Sequence, residues 1–340
     1  MGGVSIVRPC EGPEPSLAER LRLPESRLAG PIEMLACTSS LGDPAAAIAR
    51  AAGVRVVVDR PETASFTNPK VRHLDAGLAA ARHSVIVFAD ADAEIGGPDL
   101  DALLVALSQP GVSGVFAAPI AEEGDAWGNR LLRTALGGSL YGWPALVSLT
   151  RALGQPIPIS GALVAFRRRD LPQGLAGAAH AIGDDLAISS ALQARGKLTM
   201  STRAVTCLHG AISARQAVET LRRWVFVATR HSPWRLLGFP LLFSASPLLL
   251  LLCVASMPSA GGVALAVALV GRLLAVGRIR RASLGESVRI IDLVATELLL
   301  LDAAVRAALA IMTGKELQWR KRRYKLGTGG RIMSVRGAAR

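Results

Sequence analysis

Short runs rich in β-branched residues alternate with stretches of helical spacing along roughly the first two-thirds of the chain. Val4-Ser5-Ile6-Val7, Met34-Leu35-Ala36-Cys37, Val54-Arg55-Val56-Val57-Val58 and Val85-Ile86-Val87-Phe88-Ala89 have the length and composition of strands. Leu17 to Leu23, Pro44 to Ala52 and Val71 to Ala81 read as helices between them. Further on, Leu100 to Leu107 predicts a helix, Gly111 to Pro119 a strand, and Ile159 to Phe166 another strand. Gly161 lies near the start of this last strand, where a backbone can approach a ligand closely. Strands alternating with helices predict an α/β fold around a mostly parallel sheet with covered faces. Ligands of such sheets gather beyond the carboxyl ends of the strands.

Beyond Arg215 the pattern changes. Gln216 to Ala228 places Val218, Leu221, Val225 and Ala228 on one side and Arg222 on another, which predicts an amphipathic helix lying against a membrane. Trp224 and Trp234 suit the headgroup level. Leu236 to Met257 contains no charged residue and includes the leucine run Leu248 to Leu252; about 20 such residues cross a hydrocarbon core. Pro258 to Gly262 form a break, and Val263 to Val276 a shorter apolar run holding Arg272. Ile290 to Met312 is apolar too but carries Asp292, Glu297, Asp302 and Arg306, which are costly in hydrocarbon. This third segment is expected at the interface or packed inside a helical cluster, leaving the first two as a membrane hairpin.

The chain has 340 residues and a net charge of +13, a balance that fits nucleic acid, an anionic membrane surface or an anionic substrate. The position of the charge separates these. Arg278, Arg280, Arg281 and Arg289 follow one apolar stretch, and Arg320, Lys321, Arg322, Arg323 and Lys325 follow another. Basic residues beside membrane segments mark the cytoplasmic side, and no nucleic-acid fold signature accompanies them. Cys10, Cys37, Cys207 and Cys253 are scattered without C-x-x-C spacing, as small core residues of a reducing compartment are. Met1-Gly2-Gly3-Val4 offers no signal peptide, so the chemistry is expected in the cytoplasm.

That chemistry centres on Asp90-Ala91-Asp92, at the end of the Val85 to Ala89 run. Strand alternation puts both carboxylates on one side of the chain. Paired hard oxygen ligands suit Mg²⁺ or Mn²⁺, which complete their shells with water and substrate phosphates. A nucleoside diphosphate is the natural partner, although the same three residues alone also read as a polar turn. Thr67-Asn68-Pro69-Lys70 precedes the motif by one helix, Gly183-Asp184-Asp185-Leu186 follows before another, and Leu221-Arg222-Arg223-Trp224 lies on the amphipathic stretch. Singly these read as a proline turn, an acidic helix start and a basic helix face.

Taken in order, the motifs resemble the ceramide glucosyltransferase family and the similar hopanoid-associated glycosyltransferases. The resemblance runs from Val4-Ser5-Ile6-Val7-Arg8-Pro9 through Asn68-Pro69-Lys70, Asp90-Ala91-Asp92, Ile159-Ser160-Gly161, Asp184-Asp185 and Arg223-Trp224 to Trp319-Arg320-Lys321-Arg322-Arg323-Tyr324. It implies a GT-A type α/β domain over residues 1–211, an interfacial helix with the Arg-Trp pair over 212–235, membrane segments over 236–314 and a basic cytoplasmic tail over 315–340. The implied reaction moves a sugar, with inversion, from a nucleotide donor (a UDP-sugar favoured) to a hydroxyl of a membrane lipid such as ceramide. Asp92 with Asp90 would form the metal and diphosphate site, and Lys70, Asp90, Arg223 and Trp224 would contact the donor. Asp185, beside Asp184, would be the general base. The chain departs from the family at Ser40, where an aspartate near the end of the second strand is usual. It departs again at Thr220, where a glutamine or arginine opens the Arg-Trp motif, and at Leu186, where an aromatic is usual. The first two departures leave a non-catalytic membrane-bound scaffold as one alternative, and a transferase acting on a hopanoid or another lipid is the other.

Overall fold

The structure, a computed structural model, describes residues 2–13, 17–60, 62, 65–154, 157, 159–231, 244–285, 287, 289–319 and 322–336. Its centre is a seven-stranded sheet in the order β3-β2-β1-β4-β8-β6-β9. These strands are β1 (Val4–Pro9), β2 (Ile32–Thr38), β3 (Arg55–Val58), β4 (Val85–Ala89), β6 (Val112–Phe116), β8 (Leu163–Arg167) and β9 (Lys197–Met200). β1 lies parallel to β2 and β4, whereas β8 is antiparallel to both of its neighbours, β4 and β6. The expected mostly parallel sheet is present, and β8 is its one reversed strand. β8 begins at Leu163 rather than Ile159, so Ser160 and Gly161 lie just ahead of it, beyond the end of β4.

Both faces are covered as the apolar runs require. α1 (Leu17–Arg20), α2 (Pro44–Ala51) and α4 (Gly97–Leu107) pack on one side, where Leu17, Leu100, Leu103 and Val87 are buried together. α3 (Pro69–Ala80) and α7 (Asp184–Gln193) cover the other, around Val71, Leu74, Phe88 and Phe166. A small sheet of β5 (Ala93–Glu94), β10 (Val205–Cys207) and β7 (Pro119–Ala121) sits at the carboxyl edge. α5 (Trp127–Gly137) and α6 (Ser139–Ala152) follow β7.

The C-terminal part corrects several expectations. α8 (Ala214–His231) opens with a capping box in which the Ser213 and Gln216 side chains each accept from the other residue's backbone N–H. Its apolar stripe, expected against lipid, faces protein. Ala217, Leu221 and Val225 are buried, and Leu221 and Val225 pack into a cluster with α11 (Ile290–Met312) and Leu132 and Leu136 of α5. The charges of α11 are paired there: Asp292 with Arg130 at 3.3 Å, Glu297 with Arg272 at 2.8 Å, Asp302 with Arg222 at 2.8 Å. This is the expected packing of that segment within a helical cluster. Trp234 and, of Leu236 to Met257, residues 236–243 lie outside the described residues; the rest of that run holds α9 (Ala245–Ser256), too short to cross a bilayer alone. The second apolar run is longer than its sequence pattern indicated: α10 (Ala260–Leu284) contains, over Ala260–Ala282, the one helix among the described residues with the length and composition of a membrane span. Arg280, read as a basic flank, is 4% exposed and donates to the Arg133 and Thr134 carbonyls near the end of α5.

The region expected as a basic tail folds into a three-stranded antiparallel sheet of β11 (Leu317–Trp319), β12 (Arg322–Leu326) and β13 (Ile332–Arg336); Arg320 and Lys321 lie outside the described residues.

Candidate functional site

Four of the residues singled out in the sequence converge at the carboxyl edge of the sheet. Lys70 reaches them because Asn68 caps α3: its Oδ1 accepts from the Lys70 N–H at 3.0 Å and Pro69 takes the first helical position. The Thr67 to Lys70 segment is therefore a helix start rather than a free turn. The Lys70 ammonium lies 2.7 Å from Asp90 Oδ1 and 3.2 Å from Asp184 Oδ2. One cation thus joins the turn after β4 to the start of α7. Asn68 makes a second link, donating from Nδ2 to the Ala181 carbonyl at 2.7 Å, so the lysine and the segment before Asp184 are set by the same residue.

Asp185 occupies the first turn of α7, where the helix dipole favours a carboxylate, and its Oδ1 accepts from the Leu186 N–H at 2.9 Å. Gly161 makes room for it: a Cβ there would stand 3.0 Å from Asp185 Cβ. Burial and then the neighbouring Asp184 push the Asp185 carboxyl up to about 7, against the pull of Lys70. Burial also lifts Asp90, to about 6, with Lys70 opposing and Asp92 and Asp184 adding to the rise. For Lys70 burial works against the charge, but Asp184 and Asp90 outweigh it and its pKa rises. The result is a permanently charged lysine beside a carboxyl that gains or loses its proton near neutrality.

Asp92 faces another way. β5 pairs antiparallel with β10, Ala93 opposite Cys207, and the Leu208 N–H donates to the Asp92 carbonyl at 2.8 Å. This register brings His209 Nδ1 to 3.6 Å from Asp92 Oδ2. Carboxylate and imidazole together suit Mn²⁺ or a similar divalent ion. Among the described residues no three His, Cys, Asp or Glu side chains form a cluster able to hold a metal, so an ion here would draw its other ligands from phosphate oxygens and water.

Sequence reasoning missed His209 and two arginines. Arg8, fully buried at the end of β1, donates to the Asp90 carbonyl at 2.6 Å, and Arg20, 5% exposed, donates to the Ala91 carbonyl. Two guanidiniums therefore hold the backbone of the acidic turn from beneath. Burial lowers the Arg8 pKa to about 10, which leaves it charged at neutral pH. The only local signal was a basic residue in β1, a strand whose other residues apart from Ser5 are apolar.

The remaining predicted positions lie on other elements. On α8, Arg223 sits with its guanidinium carbon 5.6 Å from the centre of the Trp319 ring, and Trp224 packs against the C-terminal cluster. Ser40 is exposed beyond β2, its carbonyl accepting from Thr38 Oγ1 at 3.0 Å. Leu186 is buried.

The model of the family described as Glycosyl transferase family 21 matches residues 1–332. No curated protein matches the sequence. Among solved structures, a mannosyltransferase from Pyrobaculum calidifontis in complex with GDP-Man and Mn²⁺ is 17% identical, with a TM-score of 0.50 over 90% of this chain and 86% of that one. Glucosyl-3-phosphoglycerate synthase from Mycobacterium tuberculosis, in complex with Mn²⁺, UDP and glucosyl-3-phosphoglycerate, is 19% identical, with a TM-score of 0.43 over 67% of this chain and 78% of that one.

Proposed function

The chain belongs to glycosyl transferase family 21, and from that premise we propose that it transfers a sugar from a nucleoside-diphosphate donor to the hydroxyl of a membrane lipid, with inversion. A UDP-sugar donor and a ceramide-like acceptor are favoured. The observation that carries this reading is Lys70, whose ammonium joins Asp90 of the acidic turn to Asp184 beside Asp185. The proposed diphosphate place and a carboxylate able to take a proton thereby lie on either side of one lysine. The mannosyltransferase neighbour holds Mn²⁺ with its nucleotide sugar, which accords with Asp92 and His209, next to Asp90, as the residues that would hold Mn²⁺ or Mg²⁺ together with phosphate oxygens and water.

In this mechanism Asp185 accepts the proton of the lipid hydroxyl as the oxygen forms its bond to the anomeric carbon and the bond to the diphosphate breaks. A carboxyl with a pKa of about 7 combines a useful ionised fraction with enough basicity at neutral pH. Lys70 and Arg223 offset the charge that develops on the departing diphosphate. A divalent ion held at Asp92 would supply further positive charge to the diphosphate. Trp224 offers an indole to sugar or lipid.

The membrane part of the proposal rests on α9 and α10. They leave Leu251, Val254, Val267, Val270 and Leu274 more than half exposed, an apolar surface of the kind that lipid covers. Arg278, Arg281 and Arg289 follow it and would face anionic headgroups on the cytoplasmic side, with the catalytic domain. The scaffold reading motivated by Ser40 and Thr220 is the weaker one, because Asp90 and Asp184 are both ion-paired to Lys70, with Asp185 next to Asp184.

Lipid extracts compared by mass spectrometry, from cells with and without the gene, test the proposal. A glycolipid present only with the gene is the expected outcome; identical glycolipids in both would refute it.

A further inference from the structure

The C-terminal sheet is tied to the rest of the chain along three separate lines. The first runs to the segment before the acidic pair: Ile332 N–H donates to the His180 carbonyl at 2.7 Å, Ile182 N–H donates to the Gly330 carbonyl at 3.0 Å, and Ala181 bridges Arg331. The opposite side of that segment is held by Asn68, whose N–H donates to the Ala179 carbonyl at 3.1 Å. Residues 179–182 are thus clamped between the start of the Lys70 helix and residues 330–332 at the turn before β13, immediately ahead of Asp184 and Asp185. The second line is Trp319, whose ring lies under the Arg223 guanidinium. The third is Arg322, 3.4 Å from Glu11 in the loop after β1. The sheet is held in place by buried Leu317, Tyr324, Leu326 and Ile332, packed with Leu221, Val225 and Ile182.

We propose that this C-terminal sheet is a working part of the site, with Trp319 positioning Arg223 and the 330–332 turn positioning the segment that delivers Asp185. The inference rests on the proposed roles of Arg223 toward the diphosphate and of Asp185 as base. None of the sheet's residues touches reacting atoms; they act through those two groups. A ring face favours one placement of a guanidinium over it, and a main-chain clamp fixes where a helix begins. Gly330 is the sensitive point of the turn, since its φ of 72° belongs to the left-handed region that other residues enter only with strain.

The full chain carrying Trp319→Leu, Trp319→Phe or Gly330→Val tests this against the unaltered protein. Four readouts are compared: donor KM, kcat, the pH profile, and calorimetric binding of UDP with Mn²⁺. Trp319→Leu is expected to raise donor KM and weaken UDP binding by about three- to thirtyfold, with Trp319→Phe restoring most of it. Gly330→Val is expected to lower kcat and move the acid limb of the profile while UDP binding holds. A purely structural role would instead lower the melting temperature and the active fraction together, leaving KM and the profile where they were. That result, or unaltered UDP binding in a folded Trp319→Leu variant, overturns the inference. If Gly330→Val does not fold, the Trp319 pair decides alone. If the unaltered chain makes no glycolipid and binds no UDP, the functional reading itself fails; an active parent matched by all three variants sinks only the inference.

Discussion

The two acidic pairs of the candidate site are built to the same plan and set in different surroundings. Asp90-Ala91-Asp92 closes a strand and Asp184-Asp185 opens a helix, and in each pair the first member binds the shared Lys70. The second members diverge. Asp92 turns toward His209 on a neighbouring small sheet, whereas Asp185 packs beside Gly161 with its pKa raised to about 7. In the proposed mechanism identical side chains would serve as a metal ligand and as a proton acceptor, according to what stands opposite them.

Asp185→Asn breaks the comparison most severely. Glycolipid formation should fall by about 10²–10⁴-fold, the usual worth of a positioned base, while UDP and Mn²⁺ still bind. Comparable loss of binding and turnover would show that Asp185 serves the donor instead. The same variant has a stability signature. Because the folded carboxyl titrates near 7 and its ordinary value is 3.8, the folded chain keeps between those values a proton that the unfolded chain has released. Stability therefore falls as pH rises through that window. Asp185→Asn, with no charge to bury, should melt above the parent at pH 8 and show no such advantage at pH 4.

Asp92→Asn attacks the other pair. Mn²⁺ affinity, followed by electron paramagnetic resonance, should drop by at least about 10–100-fold, the loss typical even of groups that only support a metal ligand. His209→Ala should weaken Mn²⁺ in the same direction, and unchanged binding in both variants would remove the metal from this side of the site. Lys70→Met severs the link between the pairs. Donor KM should rise about tenfold or more, the cost of losing a charged hydrogen bond to an anion. The Asp90 carboxyl should climb further, because Lys70 is the group holding it down. An unaltered KM would mean that the lysine only braces the two acids.

How far this arrangement was legible in the sequence depended on the distance over which each signal acts. Asp90, Asp92, Lys70, Asp184 and Asp185 sit at strand ends and helix starts, where local patterning marks the carboxyl edge of a sheet. His209 could not be read that way, since it meets Asp92 only through the β5–β10 register, and Arg20 reaches the Ala91 carbonyl from a helix far earlier in the chain. The α8 stripe looked lipid-facing because a helix that buries itself against protein shows the same period. The C-terminal sheet did leave a signal: in Arg323-Tyr324-Lys325-Leu326 the apolar residues are buried and the basic ones exposed, a strand alternation obscured by the density of positive charge.

The smallest expected effect is the most discriminating. Asp184 is the nearest negative charge to Asp185 and, after burial, the chief reason its pKa is high. Asp184→Asn keeps the size of the side chain and a hydrogen-bonding group for Lys70 while removing that repulsion, so the Asp185 carboxyl should titrate lower. In the pH profile of kcat, the acid limb should move down from about 7 by up to roughly one unit, so that the variant keeps more of its own maximum at pH 6 than the parent does. The maximum itself should change only a few-fold, because Lys70 retains Asp90. A limb that stays in place would mean that burial alone sets the base, and the two pairs would then differ only in how deeply each is covered.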